Sequence, residues 1–161
     1  MRPTQKFEAT IETKKGFYIG DLCYAMKDEV YDRVWGDLYN YEDGAFEVPA
    51  YHTYFIVSGT AYGDGYYSSM SGANYPVDAG IIGICPLEMC DEKKLATLDG
   101  YGQIFEGSGS YRVEVERDSE GAISITIDDE VYEIVYTGYE EDEYDDEDDE
   151  PVEDYFDTFD D

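Results

Sequence analysis

The sequence predicts a mainly β domain of the α+β class: a twisted antiparallel sheet with two short helices, followed by an acidic C-terminal tail. Three observations carry that prediction. Residues 111–136 contain two runs of alternating apolar and polar side chains and a third strand-like run, Val131 to Tyr136, separated by turn residues. Tyrosine, which suits half-buried pleated surfaces, occurs 18 times against a single Trp, Trp35. The composition then changes at residue 140, where a run of 22 residues carries fifteen carboxylates and no basic side chain. The chain therefore divides into one β-rich domain over 1–139 and an appendage over 140–161.

The elements follow in order. Phe7 to Thr13 alternates as a strand, Lys14-Lys15-Gly16 reads as a turn, and Phe17-Tyr18-Ile19 is expected to pair back as a hairpin. Residues 27–39 read as a helix, with Asp28 and Glu29 in its first turn and Val30, Val34 and Leu38 at helical spacing. Tyr54 to Val57 is a strongly apolar strand leading to Thr60-Ala61-Tyr62. Gly63-Asp64-Gly65 is a tight turn, and Tyr66-Tyr67 begins a return strand. Ala79 to Ile84 is a buried strand whose glycines permit close backbone approach. Pro86 opens a short helix through Leu98, its missing N–H costing nothing at the first position. Residues 111–136 form an antiparallel meander turning at Asp118-Ser119-Glu120-Gly121.

Charge narrows the function classes. The formal net charge is -30, with 40 Asp and Glu against 10 Lys and Arg, and no cation follows Arg117. Phosphate contacts require Lys and Arg, so direct binding of nucleic acid or of an anionic membrane is not expected. The amino terminus lacks the apolar run of a signal peptide, and no stretch is long and apolar enough to span a bilayer. Cys23, Cys85 and Cys90 are an odd set at no familiar spacing, and they read as reduced thiols of a cytoplasmic protein.

Three blocks look familiar together: Tyr18-Ile19-Gly20-Asp21-Leu22-Cys23-Tyr24, Thr60 to Gly65, and Val77 to Glu88. They resemble a family of small bacterial and phage-borne proteins with a Tyr-Ile-Gly-Asp-Pro-Cys-Tyr signature, over roughly residues 17–90. Leu22 stands where that signature carries Pro. The resemblance implies a bacterial or phage setting and no particular chemistry. In charge alone, the chain resembles the DNA-mimic proteins by which phages block restriction or CRISPR nucleases.

The candidate partner-binding residues fall in two groups. In the tail they are Asp142, Glu143, Asp145, Asp146, Glu147, Asp148, Asp149, Glu150, Asp154, Tyr155 and Phe156. Such a segment cannot bury enough apolar area to offset the entropy of ordering it. Its fifteen charges lie about 5 Å apart if extended and about 2.2 Å apart if helical. Duplex DNA carries one per about 1.7 Å of axis. Tyr144, Tyr155, Phe156 and Phe159 are available to occupy base-stacking platforms. The alternative is a plain solubility tail.

The second group lies in the meander: Glu114, Glu116, Asp128, Asp129, Glu130 and Glu133. By period two, Glu114 and Glu116 share a face opposite Val113 and Val115. An ordinary solvated face is the bland alternative, but solubility surfaces usually mix signs and no cation follows Arg117. This preformed face is expected to supply specificity, and the tail the encounter rate.

Asp21, Asp64 and Asp78 fall in the three familiar blocks. They suit either a cation site or, more simply, turns and caps beside Gly20, Gly63 and Gly80. Catalysis has little to work with. His52 is the single histidine, and a reactive Cys23 thiolate needs an electropositive setting that this charge opposes. The expected function is a non-enzymatic nucleic-acid mimic, without cofactor or metal, acting in the bacterial cytoplasm. It would block the basic groove of a nucleic-acid-binding defence enzyme of the anti-CRISPR or anti-restriction type. The alternatives are an adaptor that recruits basic proteins through its tail, or a small cation-binding domain.

Overall fold

The computed structural model describes residues 4–98 and 100–137. Eleven strands follow one another along them: β1 Gln5–Thr13, β2 Gly16–Gly20, β3 Gly44–Val48, β4 Thr53–Gly59, β5 Gly65–Tyr67, β6 Tyr75–Val77, β7 Ile81–Pro86, β8 Gln103–Glu106, β9 Gly109–Arg117, β10 Ala122–Ile127 and β11 Glu130–Tyr136. They form an antiparallel four-stranded sheet in the order β1-β9-β10-β11, a five-stranded one in the order β3-β4-β7-β2-β8, and a two-stranded ribbon of β5 and β6. The mainly β, antiparallel architecture expected from the sequence is therefore present, its strands shared between two packed sheets. Among the described residues, no helix is long and apolar enough to cross a membrane.

Alternation along the strands builds three layers. Ile11, Val113, Val115, Ile123, Ile125 and Val135 of the first sheet meet Phe17, Ile19, Ile56, Ile82 and Ile84 of the second in one core. The opposite face of the second sheet presents Tyr18, Phe55, Val57, Ile81 and Cys85 to a second core. That core is roofed by Leu22, Val30, Trp35 and Met89 from short helical segments and by Met26, which bridges to Cys90. The five-stranded sheet is thus central, and β2, β4 and β7 are buried nearly throughout. Each fully buried isoleucine or phenylalanine contributes about 1.5–3 kcal/mol. Gly83 lies in β7 between the neighbouring strand β4 and the Leu22 side chain of the second core. A Cβ there would lie 2.6 Å from the Ile56 carbonyl oxygen and 2.9 Å from the Leu22 side chain.

Four sequence expectations are corrected. β1 and β2 do not form a hairpin: β1 pairs with β9, while β2 pairs with β7 and β8. β1 alternates exposed and inward residues, whereas β2 is buried on both faces, so each belongs in a different layer. Gly16, at φ 128°, lets the chain turn the corner between them.

Tyr66 and Tyr67 do not return along β4, because β5 pairs with β6. The helix expected over 27–39 is present, but as a π-helical segment Glu29–Gly36 that runs into α1 (Asp37–Tyr39). Its i→i+5 bonds change the periodicity. Val30 and Trp35 are therefore buried, while Leu38 is 63% exposed. Finally, Pro86 ends β7. The helix expected after it is broken into a 3-10 turn Leu87–Met89 and α2 (Glu92–Ala96), which starts afresh because Asp91 caps the Lys93 N–H at 2.8 Å. The meander over β9, β10 and β11 forms as the alternation predicts.

Candidate functional site

The three familiar blocks converge on one carboxylate. Asp21 is 1% exposed, and its oxygens accept hydrogen bonds from the backbone N–H groups of Cys23 at 3.0 Å, Asp78 at 2.7 Å and Ala79 at 2.7 Å. It caps the 3-10 turn Leu22–Tyr24 and ties it to the loop before β7. The Thr60 N–H bonds to the Gly80 carbonyl at 2.9 Å, and its hydroxyl donates to the Gly63 carbonyl at 2.7 Å, which brings in the third block. Asp21 thus acts through caps and turns, as its glycine neighbours suggest. Among the described residues, no group of three or more His, Cys, Asp or Glu side chains is placed to hold a metal ion.

What this junction presents outward is acidic and aromatic. Asp64 and Asp78 are exposed there, and Tyr62 and Tyr66 are 66% and 79% exposed. Between Arg33 and Lys93 the sequence has no cation. The two tyrosines were not among the candidates read from sequence. The missed signal is their placement either side of a Gly-Asp-Gly turn, which forces neighbouring side chains out of the core.

The meander's acidic face is different from what the sequence suggests. Strand β1 lies beside β9 in a register that sets Glu8 opposite Glu114 and Lys6 opposite Glu116. Lys6 reaches Glu114 at 3.1 Å. Arg112 contacts Glu8 at 2.8 Å, Glu114 at 3.3 Å and Asp129 at 3.8 Å. The hydrogen bond and charge of Arg112 hold the Glu8 carboxyl below its ordinary range, and those of Glu114 raise the Lys6 ammonium. This is a mixed-sign network on a solvated face, in which each pair contributes little.

Turn chemistry accounts for Asp128 and Asp129. Both have positive φ, 51° and 70°, as a two-residue hairpin turn between β10 and β11 requires. The Asp128 carboxylate also accepts the Arg112 N–H at 2.9 Å. Glu116 and Glu130 remain exposed on this sheet.

Glu133 is not a surface residue, which corrects its assignment to the partner-binding set. Its side chain is fully buried and accepts hydrogen bonds from the Ser71 hydroxyl at 2.7 Å, the Tyr75 hydroxyl at 2.7 Å, the Gln103 amide at 2.5 Å and the Ser71 N–H at 3.1 Å. Burial alone would raise its pKa, but these donors outweigh it and hold the carboxyl below its usual value. The sequence did carry the signal: by period two, Glu133 shares a face with Val135, which points inward. A register shift at Ile125/Thr126 sets Val131, two residues earlier, outside at 53% exposure.

The tail candidates Asp142, Glu143, Asp145 to Glu150, Asp154, Tyr155 and Phe156 lie outside the described residues. Of the thiols, Cys23 is half-buried beside Asp21. Burial first, and then the charge and hydrogen bond of Asp21, push it well above its ordinary pKa, which opposes a thiolate there. His52 is exposed at a left-handed position, φ 56°, after the 3-10 turn Pro49–Tyr51. Two open clefts of about 760 and 420 Å³ flank Glu88, which contributes to the wall of both. No protein-family model, curated protein or solved structure matches the chain.

Proposed function

We propose that the protein is a non-enzymatic acidic inhibitor that competes with nucleic acid for a Lys/Arg-lined groove on a basic partner, a bacterial defence nuclease being the fitting class. The observation that carries this reading is the run of fifteen carboxylates without a cation over residues 140–161. Carboxylates spaced along that segment stand in for phosphates, and its aromatic residues supply the stacking surface of bases. The folded domain adds the exposed Asp64, Asp78, Tyr62 and Tyr66 beside the Asp21 junction.

The pairing of Glu8, Glu114 and Asp129 around Arg112 shifts the division of labour. A face on which Lys6 and Arg112 offset part of the acidic charge offers a weaker negative field, so the tail carries more of the competition than the meander. That same pairing favours a second reading, an adaptor whose β domain does separate work while the tail recruits basic proteins. Displacement separates the two. A mimic expels DNA from the partner's groove, whereas an adaptor leaves protein, partner and DNA together in one complex.

A further inference from the structure

Two buried thiols lie together on the element that joins the clefts. Cys85, in β7, and Cys90, just after the 3-10 turn Leu87–Met89, are 0% and 3% exposed, with their Sγ atoms 3.6 Å apart. Only Pro86 to Met89 separates them in sequence. Cys90 also contributes to the wall of the larger cleft, whose lining carries both lysines and carboxylates, so a small oxidant has a route to it. We propose that Cys85 and Cys90 are a paired oxidation site that hydrogen peroxide converts to an intramolecular disulfide.

The chemistry balances. The Cys90 sulfur, giving up its proton to solvent, attacks one peroxide oxygen. The O–O bond breaks, hydroxide leaves and takes up a proton as water, and Cys90 becomes a sulfenic acid. The Cys85 sulfur then attacks the Cys90 sulfur, its thiol proton is lost, and the hydroxyl of the sulfenic acid departs as a second water. Two thiols are oxidised by two electrons and one peroxide is reduced to two waters. The sulfurs need to close from 3.6 Å to about 2.0 Å, a movement within the reach of the short loop that joins them. The hydrogen bond with Cys90, and then burial, push the Cys85 thiol up and keep it protonated, which makes the second step the slow one.

The loop that would move is connected. The carboxylate of Glu88 accepts the Thr13 hydroxyl at 2.6 Å and the Lys14 N–H at 2.8 Å, at the corner between β1 and β2. The Met89 carbonyl accepts the Lys27 N–H at 2.9 Å, and the Asp91 N–H donates to the Ala25 carbonyl at 2.8 Å. Oxidation therefore acts on the shared wall of both clefts.

The test uses the full chain, folded and reduced, treated with hydrogen peroxide, alkylated, and digested with trypsin. Lys and Arg positions place Cys85 and Cys90 in one peptide, 34–93, and Cys23 in another, 16–27. The expected product is peptide 34–93 lighter by two hydrogen atoms and not alkylated, while Cys23 stays alkylatable. Dithiothreitol should reverse the change. Cys90→Ala should abolish it, and Cys85→Ala should leave Cys90 as a trapped sulfenic acid that dimedone labels. Should either variant fail to fold, the wild-type peptide map still decides. Two thiols that stay alkylatable while the urea-unfolded chain oxidises would overturn the proposal. So would oxidation of Cys23 first, or sulfinic acid at Cys90 without a link.

Discussion

Tyr75 and Glu133 meet inside the molecule, the phenol donating to the carboxylate at 2.7 Å where neither side chain is more than 1% exposed. With Ser71 and Gln103 they tie the segment before β6 and the start of β8 to β11. The folded-state pKa of Glu133 is depressed. Its stabilisation is therefore complete above the unfolded carboxylate range, near pH 4.3, and is lost as pH falls through the folded value. Glu133→Gln is expected to cost about 2 kcal/mol at neutral pH, since an amide NH2 would face donors. It should also flatten the acid limb of stability. Urea unfolding at a series of pH values checks this, and an unchanged acid limb would mean the group is not ionised in the fold.

Asp21 makes a separate demand on stability. Replacing it with Ala strips partners from the N–H groups of Cys23, Asp78 and Ala79 at a buried site. About 1–3 kcal/mol is lost for each donor left unsatisfied, so Asp21→Ala is expected to lower the urea midpoint severely. A loss under about 1 kcal/mol would show that water replaces the carboxylate.

Gly83→Ala tests the layering. The added methyl meets the Ile56 carbonyl, held in β4 of the central sheet, and the buried Leu22 side chain of the 3-10 turn above it. Overpacking of this kind costs about 1–3 kcal/mol. Thermal unfolding should show the loss, and a neutral result would mean the sheet opens there at little cost.

Arg112→Gln addresses the sheet surface. At 54% side-chain exposure its ion pairs contribute little, and the loss should shrink as salt screens Arg112 from Glu8, Glu114 and Asp129. If this face were the docking surface, removing Arg112 would strengthen partner binding. Unchanged binding is expected here.

Local pattern made the meander and the buried strand over 81–84 legible, because period-two alternation and a continuous apolar run depend on neighbouring residues only. What the sequence hid is non-local. Nothing near Glu114 announces that β1 will bring Lys6 and Glu8 alongside, so two of the acids read as uncompensated, Glu114 and Asp129, are in fact paired. Likewise, Lys14-Lys15-Gly16 is a true turn, but a turn does not say whether its strands share a sheet. Val30, Val34 and Leu38 fit an α-helix, and only the π-helical bonding sets Trp35 inside and Leu38 outside. Glu133 was legible from its alternation with Val135, and its charge obscured the pattern.

Competition through residues 140–161 is measured directly by DNA displacement. Restriction and CRISPR nucleases holding labelled duplex would be titrated with the full chain and with residues 1–139, at about 0.1 M and about 0.5 M salt. The full chain is expected to expel DNA from at least one such enzyme at low salt, with high salt weakening this by roughly tenfold or more and 1–139 displacing far less. A stable complex of full chain, nuclease and fully seated DNA would contradict it, as would displacement that neither salt nor removal of residues 140–161 diminishes.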